Sequence, residues 1–301
     1  MAQSTGATLL SARGRARKKG GVRVRRYIRR GVTYALALLL GLVFMMPFFW
    51  AVFSAFKDPY EVIAYPPRLL PTKWRFENFV TVWTTVPFAQ WTLNTFFVCL
   101  TAVLGQVSTA TLVAYGFSRF RFPGRDKLFL LVLSTMMIPM QVTLIPTFLM
   151  FRLIGWLNTL KPLIIPSYFG GGAFFIFLLR QFLLTIPRDL DEAAKIDGAG
   201  SFRVLLQVVL PLAKPAILTV TIFSFMGHWQ DFLAPLFYLN SPEKFTLSLG
   251  LRYFSMLPMS GRPTNHLLMA ASIQMTVPVL LLFFFTQKYF VQGIVTTGLK
   301  M

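Results

Sequence analysis

The chain has 301 residues, 55% of them hydrophobic, and a mean hydropathy of +0.61; only 13% are charged, about half the soluble average of roughly 25%. Apolar runs near twenty residues long recur along it, each able to cross a hydrocarbon core of about 30 Å. The runs are continuous rather than alternating, which excludes a β-barrel. The net charge of +20 does not point to nucleic acid, because ten Lys or Arg and no acid fall in the first thirty residues, directly before the first apolar run. That is the positive-inside pattern, with a secondary attraction to anionic headgroups of the lipid bilayer.

The composition predicts an all-α polytopic membrane protein with six transmembrane helices. A basic tail (1–30) leads into a first helix and external segment (31–90), a core membrane domain (91–290) and a short tail (291–301). The first span covers about 33–56. It is too long for a signal-peptide core and is expected to stay as an anchor. The external segment carries Pro66, Pro67, Pro71 and Trp74, with a peripheral helix expected around Phe76 to Trp83. Phe79, Trp83 and Phe88 there suit interfacial anchoring.

The second span, about 91–115, holds Asn94, Thr95, Thr101, Gln106, Ser108 and Thr109, residues that favour close helix contact over lipid exposure. A basic turn with Pro123 and Gly124 follows. The third span, about 128–151, contains Pro139 and Pro146, which bend a helix and suit either a gate or a packing kink. The fourth, about 163–186, carries Gly170, Gly171 and Gly172, read as a point of close backbone approach. The fifth covers about 215–239 and the sixth about 266–285.

Span parity puts both termini on one side. Loop charge agrees: 21 basic residues fall on the tail side and nine on the other, so the tail side is expected to be cytoplasmic, N-in/C-in.

Between the fourth and fifth spans the chain turns polar. Residues 189–203 carry four of the ten acidic residues. Asp189 and Glu192 read as a capping-box variant opening a short helix over 190–197, with Pro187 ahead and Gly198 and Gly200 suited to its left-handed end.

Catalytic chemistry has little support. The sequence contains no G-x-x-x-x-G-K-[ST] loop, so ATP hydrolysis by a P-loop is not expected. His228 and His266 lack the carboxylates or cysteines of a metal site, and Cys99 stands alone, read as a small buried hydrophobe. His228, Trp229, Gln230 and Asp231 form the strongest intramembrane polar group. Counted from Pro215, Asp231 falls about 24 Å along the span, near the outer interface. His228 and Asp231, three apart, can pair on one helix face. The group reads either as a pathway or gate element or as a structural pair.

Glu192-Ala193-Ala194, then three residues, Gly198, nine residues and Val208-x-Leu210-Pro211 resembles the EAA signature of bacterial ATP-binding-cassette (ABC) importer permeases. Val208 stands where Ile is usual. Ile186-Pro-Arg-Asp-Leu-Asp-Glu-Ala-Ala-Lys-Ile-Asp-Gly198, Trp229-Gln-Asp-Phe-Leu-Ala-Pro-Leu236 and Phe285-Thr-Gln-Lys-Tyr-Phe-Val-Gln-Gly293 are similar to the carbohydrate-uptake branch. The six-span form is similar to the second permease subunit of maltose-type systems.

The resemblance implies a type I importer permease fold, a coupling loop (187–214) and a place in the bacterial plasma membrane. It implies partners as well: a second permease subunit, an ABC ATPase dimer and an extracytoplasmic substrate-binding protein. ATP and Mg would sit on the ATPase, with no cofactor on this chain. Asp191, Glu192, Ala193, Ala194, Lys195, Asp197, Gly198, Leu210 and Pro211 are then the ATPase-coupling candidates. A permease for another solute such as glycerol phosphate, or a self-sufficient secondary transporter or channel, are the alternatives. The latter normally needs ionisable groups near the bilayer midplane.

Overall fold

The computed structural model describes the backbone of residues 4–257 and 263–298, and side chains within 28–257 and 263–287. The described residues hold helices and no strand: α1 (Ser4–Ala55), α2 (Glu77–Thr85), α3 (Phe88–Arg119), α4 (Arg125–Ser134), α5 (Met140–Leu153), α6 (Lys161–Ile164) and α7 (Ala173–Thr185). The second half adds α8 (Asp189–Ile196), α9 (Ser201–Val204), α10 (Leu210–Trp229), α11 (Leu233–Tyr238), α12 (Leu247–Met256) and α13 (Asn265–Gly298).

Five segments are long and apolar enough to cross a membrane: Ile28–Ala55, Phe88–Arg119, Lys161–Thr185, Ser201–Trp229 and Asn265–Gln287. The expected third span is instead an elbow, in which Arg125–Met137 and Met140–Leu153 meet at 95°. Its cause is local. Pro139 lacks an N–H and pushes the residue before it out of the helical region, so Ile138 (ψ 113°) and Pro139 (ψ 137°) are both extended. Pro146 stays inside α5.

The fifth span begins earlier than its prolines suggest. Helix runs continuously from Ser201 through a π-helical turn at Leu205–Val209 into α10. The wider turn changes the hydrogen-bond register just before Pro211, so proline opens α10 instead of ending a helix. The span stops at Trp229; residues 230–232 break it before α11. The sixth helix continues through Gly298, past the expected start of the tail at 291; residues 299–301, like 1–3, lie outside the described residues. The peripheral helix is present as α2. A helix between α11 and α13, α12, was not expected from the sequence, and Arg262 of the same segment lies outside the described residues.

The buried side chains form two apolar cores. One gathers Trp91, Trp229, Leu247, Phe254 and Ala270; the other gathers Ala110, Leu179, Val204, Val209 and Val220 beside the polar loop. At the first core, α3 latches the loop before α12. Asn94 Nδ2 donates to the carbonyls of Glu243 and Phe245, at 3.0 Å each, and Trp91 Nε1 donates to that of Pro242 at 2.8 Å.

The glycine triplet makes the close approach expected of it. Gly170, Gly171 and Gly172 all have positive φ, a conformation open to glycine at little cost. A Cβ on Gly171 would lie 2.5 Å from the Ala110 Cβ and backbone nitrogen and 2.6 Å from the Gln106 carbonyl oxygen. The chain therefore crosses α3 in van der Waals contact before entering α7.

Candidate functional site

The polar loop is built from its two ends inward. Pro187 holds Ile186 extended (ψ 124°), which ends α7. Arg188 is already helical (φ −73°, ψ −23°) and serves as the N-cap of α8, with no side-chain cap bond. The expected capping box does not form. Starting the helix one residue early makes Asp189 its first residue, and the Arg188 carbonyl accepts from the Asp191 and Glu192 amides at 2.9 and 3.1 Å. Asp189, Asp191 and Glu192 in the first turn and Lys195 in the last oppose the helix dipole, which steadies so short a helix.

Its C-terminal end is a Schellman motif. Gly198 N–H donates to the Lys195 carbonyl at 3.0 Å and Ala199 N–H to the Ala194 carbonyl at 2.9 Å, with Gly198 at φ +81° as the motif requires. Gly200 is extended (φ −68°, ψ 161°) rather than left-handed, and is the N-cap of α9.

α8 has two unlike faces. On the inner one, Asp191 is buried, and its Oδ2 lies 2.9 Å from Arg119 Nε; the two side chains are 9% and 5% exposed. Arg119 Nη1 also donates to the Ile186 carbonyl at 3.2 Å, and Arg188 Nη2 donates to the Ser118 carbonyl at 2.9 Å. Tyr115 Oη donates to the Ser201 carbonyl at 3.0 Å. The helix is thus tied on both flanks to the end of α3. Asp191 Oδ1 and Arg119 Nε and Nη2 are buried with no hydrogen-bond partner among the described residues, so the 2.9 Å contact is a close ion pair without hydrogen-bond alignment.

On the outer face Glu192, Ala193, Lys195, Asp197 and Gly198 are exposed, Ala194 is half-buried, and Ile196 is 86% exposed. Eight of the nine coupling candidates therefore keep some surface, whereas Asp191 faces inward. Leu210 and Pro211 lie two turns into the fifth span, beside a groove of about 720 Å³ between α3 and α10.

The second polar group is arranged differently from its expected pairing. His228 and Asp231 do not bond, because the helix ends at Trp229 and the three-residue spacing no longer shares a face. His228 Nε2 instead lies 3.2 Å from Gln106 Oε1, which also accepts from Ser224 Oγ at 2.5 Å. Asp231 Oδ1 accepts from the Ala234 amide at 3.2 Å and so caps α11, and its carbonyl accepts from the Ser248 hydroxyl. Trp229 is a core residue, stacked on Phe225 at 5.4 Å, with Nε1 donating to the Met275 carbonyl at 3.2 Å. Gln230 is exposed.

Two residues central to these contacts were not singled out in the sequence. Arg119 reads there as one more loop charge, although its place at the end of a span, opposite an acidic loop, is a usable signal. Gln106 reads as one of several packing polars.

The model of the binding-protein-dependent transport system inner membrane component matches residues 106–296, which include the polar loop and the Gln106–His228 contact. The chain belongs to this family. Among its relatives, the diacetylchitobiose uptake system permease protein NgcG of Streptomyces coelicolor is 32% identical, over 89% of this chain and 87% of that one. The maltodextrin transport system permease protein MdxG of Bacillus subtilis is 33% identical, over 91% and 98%. The sn-glycerol-3-phosphate transport system permease protein UgpE of Yersinia pestis is 31% identical, over 86% and 94%. A crystal structure of a bacterial ABC transporter involved in the import of alginate contains a chain that superposes with TM-score 0.78 at 25% identity, over 86% of this chain and 96% of that one. The fold is that of a type I ABC permease, and the chain is a multi-pass membrane protein of a transport family.

Proposed function

We propose that this chain is the permease subunit of a binding-protein-dependent importer for a sugar or oligosaccharide in the bacterial plasma membrane. In this reading a second permease subunit completes the pathway and an ABC ATPase dimer binds the cytoplasmic face. An extracytoplasmic binding protein delivers the cargo. Both termini are cytoplasmic, no cofactor is held by this chain, and ATP and Mg stay on the ATPase.

The observation that carries the reading is the two-faced α8. Its outer face offers Glu192, the small Ala193 and the apolar Ile196 to a partner groove. Its inner face is bonded to α3 through Asp191 and Arg119, and it leads through Ala199 and Gly200 straight into the fifth span. Motion imposed on the outer face by nucleotide-driven closure of the ATPase therefore reaches two spans at once. His228 and Gln106, on those same spans, are the pathway or gate candidates. Sugars are favoured by the diacetylchitobiose and maltodextrin relatives. The glycerol-3-phosphate relative supports the second reading, and uptake of an oligosaccharide against sn-glycerol 3-phosphate by the reconstituted complex separates them.

Glu192→Lys and Gly198→Asp are expected to leave membrane insertion intact while transport and ATPase stimulation fall roughly 10- to 100-fold, the range of a typical coupling energy. Transport at the normal rate in both variants would sink the assignment. Topology has its own test. A membrane-impermeant maleimide is expected to label Ala199→Cys from the cytoplasmic side alone, with no background from the buried Cys99. Labelling from the other side would reverse the orientation.

A further inference from the structure

The turn joining α3 to α4 forms a cavity of about 370 Å³ lined by Arg121, Phe122, Gly124, Arg125, Asp126 and Lys127. Its charges are uneven. The one carboxylate, Asp126, is engaged by Arg125, with Nε–Oδ1 at 2.9 Å, and more distantly by Arg180, whose Nη2 lies 3.9 Å from the same oxygen. Arg180 is itself stacked 4.1 Å over the Phe129 ring, which holds its guanidinium at the edge of the site. Arg121 and Lys127 have no acidic partner among the described residues. Three lining cations against one carboxylate, with Arg180 beside them, leave a net positive cavity. The positive end of α4, capped by Gly124 at φ +78°, adds to it.

The position matters as much as the charge. The cavity sits between the end of one candidate membrane span, Phe88–Arg119, and the start of the bent pair Arg125–Met137 and Met140–Leu153, and a basic turn between two spans is placed to meet anionic headgroups. Below it, Leu128, Leu130 and Leu131 of α4 are exposed, as is Phe122 at its rim. Basic headgroup contacts and an apolar surface for acyl chains are thus continuous.

We propose that this turn is a binding site for an anionic phospholipid, with the phosphate held by Arg121 and Lys127 and the chains laid along α4. A free phosphate would use only the upper half of such a site, and an acidic protein segment would leave the leucines uncovered. The site is separate from the outer face of α8 and stands whether or not that face couples to an ATPase.

The test is native mass spectrometry of the full-length chain, purified in detergent and offered equal amounts of phosphatidylglycerol and phosphatidylcholine. Phosphatidylglycerol is expected to be retained selectively. Arg121→Gln alone lowers its retention by roughly fivefold and Arg121→Gln/Lys127→Gln by roughly thirtyfold, from the usual contribution of one cation near a lipid surface. Arg29→Gln/Arg30→Gln, which removes the same charge from the basic tail, is expected to change retention little. Equal retention of the two lipids, an equal loss in the tail variant, or displacement by excess inorganic phosphate would each overturn the proposal. If the double variant does not fold, the single variant carries the measurement.

Discussion

Asp191→Ala is expected to release α8 from the end of α3. The substitution leaves the Arg119 guanidinium buried without its carboxylate, and breaking one side of a buried pair costs about 3–5 kcal/mol. The pair is buried on both sides and rests on a single close contact, since Asp191 Oδ1 and Arg119 Nη2 find no further partner. The loss is local, so its readout is hydrogen exchange over residues 189–199, which is expected to accelerate by roughly a hundredfold or more. ATPase stimulation in the assembled complex is expected to fall with it. Arg119→Ala should do the same, with the Ile186 carbonyl losing its donor as well. Replacing both partners by apolar residues, Asp191→Leu with Arg119→Met, should recover most of the protection, because neither buried charge is then stranded. Strongly non-additive effects are the signature of a working pair. Additive single effects, with exchange over α8 unchanged, would show that the pair does not hold the loop.

Gly171→Ala is expected to damage the membrane domain itself. Two costs combine there. A left-handed backbone (φ +66°) costs an alanine roughly 1–2 kcal/mol. The added Cβ would also meet backbone atoms of Gln106 and Ala110, and overpacking of that kind costs about 1–3 kcal/mol or more. Gly170→Ala separates the terms, since Gly170 has the same handedness (φ +87°) and nothing within 4 Å of its Cβ position. The expected order of thermal stability is wild type, then Gly170→Ala, then Gly171→Ala, with Ala110→Gly restoring part of the last loss. Equal melting of the two glycine variants would remove the close approach from the account.

The features legible in the sequence are those set by composition and by neighbours along the chain. Runs of Leu, Phe and Val announced the membrane spans, and Pro187 with Gly198 bracketed α8 to within a residue. The triple glycine announced a close approach without naming what it approaches. What escaped was decided across the fold. Nothing near Arg119 in sequence says that Asp191 will meet it, seventy-two positions later, since only the crossing of α3 with the loop creates that pair. The start of the fifth span was hidden because Pro211 and Pro215 mark boundaries by local rules, whereas a π-helical turn lets the helix pass through them. The pairing of His228 with Asp231 assumed a helix continuous beyond Trp229. The break at 230–232 instead turned Asp231 into a cap and left His228 to Gln106. The right angle after Met137 exceeds the bend expected of a single intrahelical proline because two successive extended residues precede α5.

The unbroken run from Ser201 to Trp229 gives this protein a connecting rod. At 29 residues it is about 43 Å long, more than the thickness of a hydrocarbon core, and one end begins three residues after Gly198, Gly200 being its cap. A rod of that length multiplies angle into distance: a swing of about 5° at one end carries the other by about 4 Å. That displacement exceeds the whole 3.2 Å contact between His228 and Gln106 at the far end. The π-helical turn at Leu205–Val209 interrupts the α-helical hydrogen-bond register of the rod. It lies four to eight residues from Ser201, close to the loop end of the rod.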